Sequence, residues 1–352
     1  MDSEKLNSML EAMGHEFDTF ANALADGEIT ELAPPFSDYA TFGGNLIEYY
    51  QQFFHKYQQY LDSISDKTWE FVNLSMQEYI LNNGGYNALF DLRREVGILM
   101  KTIVESLSAY YNGSPGLAYN KLKEMFLANQ LHLLQLLPQI HYQGSLYRVR
   151  NKQGLLKPCE LFHTPFEDRN KCGSYRFSIL GYPSLYLAAS LETSIKESRI
   201  EDKNYSAICF WSNTAIECID LTLPNRKLSF WERYSLVLFY PLIIMACGLK
   251  VKEERYAFKP EYVIPQLLFQ VISEHSTLMG VSYTSTRTDH PDYRDGKQRN
   301  FVLKVPQTNL SKGQSQQLAA LFKCTQPISP EEHESIMEVE SRLRNLPMGQ
   351  VL

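Results

Sequence analysis

The chain has 352 residues, 44% of them hydrophobic and 12% aromatic, which is ample for a sizeable core and long enough for two domains. No apolar run reaches the roughly 18 residues of a spanning helix, and the amino terminus is polar and acidic, so no membrane contact and no signal peptide are expected and the location expected is cytoplasmic. The net charge of −6 is uneven: up to Gly144, eight Lys and Arg stand against eighteen Asp and Glu, which leaves the rest at +4. The acidic part argues against nucleic acid as a partner, whereas the mildly positive remainder suits a dinucleotide with two phosphates.

In chain order, residues 1–25 carry Leu6, Met9, Leu10, Met13, Phe17 and Phe20 at three- and four-residue spacing, an amphipathic helix. Gly27 to Gly44, with Pro34, Pro35 and Gly43-Gly44, breaks the pattern. Ile47–Ile64 and Thr68–Leu81 then read as two helices, the second ended by Asn82-Asn83-Gly84-Gly85. The clearest stripe is Leu92, Val96, Leu99, Ile103, Leu107 and Tyr110, stopping at Asn112-Gly113. Ser114-Pro115 supplies an N-cap with proline at the first helical position, opening a helix through about Leu137 that Pro138 closes. Residues 1–142 are therefore predicted to be an all-helical domain, and its lack of catalytic motifs suggests a regulatory or partner-binding task.

From Gln143 the texture changes to short apolar or β-branched runs: Ser145–Val149, Leu185–Ala189, Ala207–Trp211, Ile216–Leu221, Gly280–Ser285 and Phe301–Val305. Helices are expected between them at about 190–200, 229–247 and 260–275. Tyr234 to Leu249 is the most apolar run, but Pro241 interrupts it, which predicts a buried helix and turn. The fold class is α+β, with a mixed or mostly antiparallel sheet over 143–310. The segment 311–352 is polar, with a helix expected at Gln314–Phe322, and reads as an appendage.

The chemistry gathers around Cys172 to Ser198. Gly181 and Pro183 set a turn, Leu185–Ala189 a strand, and Ser190 an N-cap for the next helix. On that helix Leu191, Ser194, Ile195 and Ser198 form the less polar side, and Glu197 lies beside it, so its carboxylate is expected near a pocket edge rather than in open solvent. By spacing alone such a glutamate is more often solvated or salt-bridged than functional. Ser285, in the run Ser-Tyr-Thr-Ser-Thr-Arg, is by itself most often a turn or edge hydrogen bonder. The cysteines (Cys159, Cys172, Cys209, Cys218, Cys247, Cys324) form no Cys-x-x-Cys, and His275 and His290 lack partners at ligand spacing, so no metal site and no disulfide framework is expected. A Gly-x-Gly-x-x-Gly after a strand and a Walker lysine are both absent, which removes support for a Rossmann oxidoreductase or a nucleoside triphosphatase.

The blocks SLYRVR (145–150), FHTPFEDR (162–169), RFSILGYPSLYLAASLETSIKE (176–197), IPQLLFQ (264–270), GVSYTSTR (280–287) and NFVL (300–303) together resemble the RES domain, a family named for its Arg, Glu and Ser residues. The resemblance implies a fold similar to ADP-ribosyltransferases and a toxin that destroys NAD, so that NAD is a substrate and no cofactor is needed. It implies an antitoxin or other regulatory protein as partner, which the helical domain would engage. Carried over by residue, Arg148 is similar to the family arginine, Tyr186 to the strand tyrosine, Glu197 to the glutamate and Ser285 to the serine.

Cleavage of the nicotinamide–ribose bond develops positive charge on the sugar, which a carboxylate stabilises electrostatically; that is the expected role of Glu197. Arg148 would hold phosphate in a bidentate fork, Tyr186 would pack on the nicotinamide, and Ser285 would position a partner group. Arg176 is a second candidate for phosphate or for orienting the turn, and His163 and Arg287 are further substrate-binding candidates. Residue 195, two before Glu197, is Ile rather than a second carboxylate, which favours a small acceptor, water or inorganic phosphate. The expected activity is NAD glycohydrolase or NAD phosphorylase. Two alternatives stand beside it: an ADP-ribosyltransferase acting on a macromolecule, and a non-enzymatic nucleotide-binding interaction protein. The chain departs from the family's compact pattern in its added helical half and in the long segment from Tyr205 to Tyr262.

Overall fold

The computed structural model of the chain describes residues 3–34, 36–82, 91–127, 133–151, 154–287, 296–306 and 312–352, with side chains from residue 14 onward. The side chains of Leu6, Met9, Leu10 and Met13, and the residues Pro35, Asn83-Gly84-Gly85 and His290, lie outside the described residues.

The chain opens with α1 (Ser3–Asp26), which ends at Gly27 in the left-handed region, φ 66°, where glycine carries no Cβ penalty. Helix α2 (Leu46–Ser63) starts with a capping box: the Glu48 N–H donates to Asn45 Oδ1 at 3.1 Å and the Asn45 N–H to Glu48 Oε2 at 3.2 Å. Helix α3 (Asp66–Asn82) follows. Asp91 caps α4 (Leu92–Tyr111), and the stripe Leu92, Val96, Leu99, Ile103 and Leu107 is buried as its spacing requires. Helix α5 (Pro115–Leu127) begins at the expected proline, and α6 (Leu133–Leu136) ends just before Pro138.

Next come β1 (Gln139–Tyr142), β2 (Ser145–Asn151), β3 (Ser184–Ala188), α7 (Leu191–Glu197), β4 (Tyr205–Ser212) and β5 (Ile216–Leu221). Helix α8 (Phe230–Tyr240) runs into a π-helical turn at Pro241–Ala246 and is followed by α9 (Val263–His275). Pro241 has no N–H to continue the ladder and its ring crowds the preceding turn, so the helix widens; the Cys247 N–H bonds Leu242 O at 2.9 Å, five residues back. The chain closes with β6 (Gly280–Thr284), β7 (Arg299–Lys304), α10 (Gln316–Ala319), β8 (Phe322–Cys324), α11 (Ile336–Arg344) and β9 (Gly349–Gln350).

These elements form two compact units, residues 1–138 with 223–271 and residues 139–222 with 272–352. The sequence reading draws its boundaries elsewhere, at 142/143 and 310/311. The structure puts 223–271 with the amino-terminal helices because its buried hydroxyls and carbonyls are bonded there. Tyr57 Oη donates to Val237 O at 2.7 Å, Tyr240 Oη to Leu32 O at 3.0 Å and Ser235 Oγ to Leu136 O at 2.7 Å. Residues 312–352, expected to be an appendage, instead supply β8, β9, α10 and α11 to the second unit.

The second unit is built on a mixed sheet in the order β1-β5-β6-β7-β3-β2-β4-β8-β9, in which β5 and β6 are parallel and the other described pairs antiparallel, giving the expected α+β class. One face is an apolar cluster with Leu146, Leu185, Leu187, Phe210, Phe301 and Leu303 at its centre. On the other face Tyr147, Val149, Ala207 and Cys209 pack with Leu191 and Ile195 of α7 and with Val339 and Leu343 of α11. Gly280 is required where β6 crosses β7, since a Cβ there would lie 1.9 Å from Val302 O. Strand β2 pairs with β4 along its whole length, from Ser145↔Trp211 to Asn151↔Tyr205, but meets β3 only at Tyr147↔Ala188. The sheet is therefore zipped on one side of β2 and open on the other.

Candidate functional site

Helix α7 is pinned at both ends. Ser190, in extended conformation, accepts from the Thr193 N–H at 3.2 Å, while Ser190 Oγ and Thr193 Oγ1 each donate to Lys297 O at 2.8 Å. At the far end Arg199 takes a left-handed φ of 53°, the Arg199 N–H bonds Lys196 O at 3.2 Å, and the Ile200 N–H bonds Ile195 O at 3.3 Å. Glu197 occupies the last turn, with its side chain 26% exposed.

Three residues from the β6–β7 side of the sheet meet this carboxylate. Ser285 follows β6 directly, is fully buried, and is fixed by its N–H to Gln298 O at 2.8 Å; Ser285 Oγ donates to Glu197 Oε1 at 2.7 Å. Asn300, on β7, donates from Nδ2 to the same Oε1 at 2.7 Å. Arg287 brings Nε to 3.4 Å from Oε2, and its N–H donates to Ser285 Oγ at 3.2 Å. Oε1 thus has two neutral donors, while Oε2 faces a cation at the part-exposed edge. The carboxylate has a fixed orientation, and its second oxygen, beside Arg287, still has lone-pair capacity to accept a further hydrogen bond.

Arg176 is buried and donates from Nη2 to Thr286 Oγ1 at 3.1 Å, tying the turn before β3 to the residue that follows Ser285. Of its two expected roles, this contact is the orienting one. The turn itself has Gly181 at φ 75°, with the Tyr182 N–H bonded to Ile179 O at 2.9 Å. Tyr186, half-buried on β3, donates its hydroxyl to Phe177 O at 2.7 Å, and its ring centroid lies 5.6 Å from that of the exposed Tyr175.

Arg148 lies on the stretch of β2 that has no partner on the β3 side. Its Nη1 is buried and makes no hydrogen bond, an uncommon state for a guanidinium. Burial, reinforced by the neighbouring Arg150, pulls Arg148 down to about 9, with the Tyr175 and Tyr186 hydroxyls acting in the opposite direction; it is still a cation at neutral pH. Arg150 is lowered as well, by burial, and donates to Phe162 O at 3.4 Å. This second guanidinium lies within the SLYRVR block and Tyr175 directly precedes the 176–197 block, but nothing in the local pattern marks either as a site residue.

His163 corrects the expectation of a substrate-binding residue. It is 1% exposed, and both ring nitrogens are engaged by backbone: Nε2 accepts from the Ser315 N–H at 2.8 Å, so Nδ1 carries the proton and donates to Thr164 O at 2.8 Å. Burial pushes this imidazole down to about 4 and keeps it neutral. Its task is to hold the 312–352 segment against the 162–166 turn.

The structure therefore brings Glu197, Ser285 and Arg287 together, adds Asn300, and links Arg176 to them through Thr286. Arg148, Tyr186 and Tyr175 form a second group. Asn300 lies inside the NFVL block but reads there as a strand residue; the signal available was an amide in an otherwise apolar run. Among the described residues no three His, Cys, Asp or Glu side chains are grouped to hold a metal, and no helix is long and apolar enough to cross a membrane.

No family model matches the chain and no solved structure matches it. A Bacillus subtilis (strain 168) protein named "Putative toxin YopC" is 26% identical over 258 residues, which are 66% of this chain and 58% of that protein. The chain thus spans little more than half the length of the curated relative it matches.

Proposed function

We propose that the chain is an NAD-cleaving toxin of the RES type, in which the sheet unit is an ADP-ribosyltransferase-like catalytic domain. The observation that carries this reading is the Glu197 carboxylate, locked through Oε1 by Ser285 and Asn300 and reaching a part-exposed edge beside Arg287 through Oε2. In the proposed reaction the dinucleotide enters where β2 and β3 part. Arg148 binds phosphate with the guanidinium nitrogen that has no protein partner, and the Tyr186–Tyr175 pair offers ring faces to a base.

Glu197 Oε2 accepts a ribose hydroxyl and stabilises the oxocarbenium-like charge as the C1–N bond breaks and the electron pair leaves with nicotinamide. The leaving group departs neutral, so no general acid is needed. Ile195 is buried, and no second carboxylate is presented at that position to activate a protein side chain, which supports a small acceptor, water or inorganic phosphate. The toxin name of the 26% identical relative points the same way, and the acidic helical unit offers the surface for a regulatory partner such as an antitoxin.

The test is incubation of the purified chain with adenine-labelled NAD, with and without phosphate. Release of nicotinamide together with free ADP-ribose or its 1″-phosphate is expected. Label accumulating on protein or nucleic acid would replace this reading with a macromolecular transferase. Intact NAD at high enzyme concentration would replace it with a nucleotide-binding protein.

A further inference from the structure

We infer that Asn300 is a positioning residue for Glu197, the amide that holds the carboxylate turned so that Oε2 is the oxygen presented to the substrate; this rests on the role proposed above for Glu197. Asn300 is 4% exposed, in the middle of the sheet, in register with Tyr283 on β6 and Ala188 on β3. The three residues that follow it on β7, Phe301, Val302 and Leu303, are all apolar and fully buried. An asparagine fits poorly in a central strand, and an amide with no partner would be costly there, so its presence calls for a specific bond.

That bond is the 2.7 Å contact from Nδ2 to Glu197 Oε1. The amide orientation is forced, because a carboxylate only accepts and the amide nitrogen must be the end that faces it. Ser285 Oγ reaches the same oxygen, but a hydroxyl can rotate; the amide is a planar donor that cannot become an acceptor at that end.

Among the described residues, several charged groups near Glu197 and α7 have partners of their own. Arg287 faces Oε2, Lys196 on α7 pairs with Glu192 at 2.8 Å, Arg299 on β7 pairs with Asp220 at 2.9 Å, and Glu340 of α11 bonds the Leu191 N–H at the opposite end of α7. Among the described residues, Ser285 and Asn300 are the donors to Oε1.

Two near-isosteric changes separate positioning from bulk. Asn300→Asp places a second carboxylate on Oε1, and Asn300→Leu removes the donor without adding charge. In the full chain with 13C-labelled glutamate, the Glu197 resonance is assigned by its loss in Glu197→Gln, and its titration midpoint is followed by NMR. The midpoint is expected to rise by at least about one pH unit in the Asp variant and by less in the Leu variant. In parallel, kcat for NAD near pH 7 should fall at least about tenfold in the Asp variant while KM stays within about threefold.

A folded Asp or Leu variant whose Glu197 midpoint matches wild type overturns the inference. A wild-type chain that releases no nicotinamide, but whose Glu197 midpoint still moves in Asn300→Asp, discards the NAD reading and leaves the positioning assignment standing.

Discussion

Glu261 in the helical unit and Glu197 in the sheet unit are both carboxylates with two donors on Oε1, and they differ at the other oxygen. Glu261 Oε1 accepts from Tyr39 Oη at 2.8 Å and from the Lys252 N–H at 3.0 Å; its Oε2 is enclosed, with no hydrogen-bond partner. Burial and the adjoining carboxylate push the Tyr39 phenol well above its usual range, so the pair is a permanent tie between two loops. Glu197 Oε1 is held just as firmly, by Ser285 and Asn300, but Oε2 lies at a part-exposed edge beside Arg287. Burial and satisfied bonds therefore do not distinguish the carboxylate proposed to act on substrate from a structural one. The reach of the second oxygen does.

That contrast is broken most directly by exchanging the two carboxylates' fates. Glu197→Gln keeps the shape and removes the charge; NAD turnover should fall at least about a hundredfold, with the melting temperature nearly unchanged. Glu261→Ala should do the reverse. It leaves the Tyr39 hydroxyl and the Lys252 N–H without their acceptor, and should cost about 2 to 3 kcal/mol in denaturant unfolding while turnover per folded molecule stays at the wild-type level. If Glu197→Gln keeps full turnover, or Glu261→Ala loses it, the distinction drawn from the second oxygen is wrong.

The sheet unit also contains a purely structural titratable group, which sharpens the comparison from the other side. His163 is buried neutral with a value near 4 against an ordinary 6.5. The unfolded chain therefore takes up a proton before the folded one, so the stabilisation is complete above about pH 6.5 and is lost as pH falls towards about 4. The amount is up to about 3 kcal/mol, read as the fall in unfolding free energy between those limits. His163→Asn should start less stable and lose that part of the pH dependence. A wild-type chain equally stable at pH 4.5 and 7, judged against the Asn variant, would contradict the backbone-bonded imidazole.

The elements that carry the site were legible because their signals are local. Ser190 as a cap, Gly181 as a turn, the short apolar run of β3 and the stripe of α4 each sit within a few residues of their cause. Glu197 and Ser285 were legible through their blocks, but their 2.7 Å contact joins residues 88 positions apart and has no periodicity. Asn300 was hidden for the same reason. Strands β1, β8 and β9 have four, three and two residues, too short for alternation to register. The placement of 223–271 with the amino-terminal helices depends on hydroxyl-to-carbonyl bonds such as Tyr57 to Val237, which no composition shift marks. The polar texture of 311–352, read as an appendage, conceals Val339 and Leu343, which are fully buried.

This last segment gives the smallest expected effect and the finest division between site and support. Ser335 caps α11, whose Val339 and Leu343 pack against Leu191, Ile195 and Tyr147. From its outer side Glu340 Oε2 accepts the Leu191 N–H at 3.0 Å, at the positive end of α7, and Arg344 bonds both Glu340 and the Tyr147 hydroxyl, the latter at 2.5 Å. The helix that carries Glu197 is thus bonded at its start by a carboxylate from the carboxy-terminal segment. Glu340→Gln keeps an acceptor and removes the charge, so the expected cost is about 0.5 to 1 kcal/mol of stability. Ser190 still caps α7, and Ser285 and Asn300 still hold Glu197 from the sheet, so turnover should stay within about threefold of wild type. Stability follows from thermal unfolding and turnover from nicotinamide release on the same preparation. A rate loss approaching that of Glu197→Gln, in a variant that unfolds like wild type, would mean that α11 sets the position of the carboxylate and that the sheet-side donors alone do not.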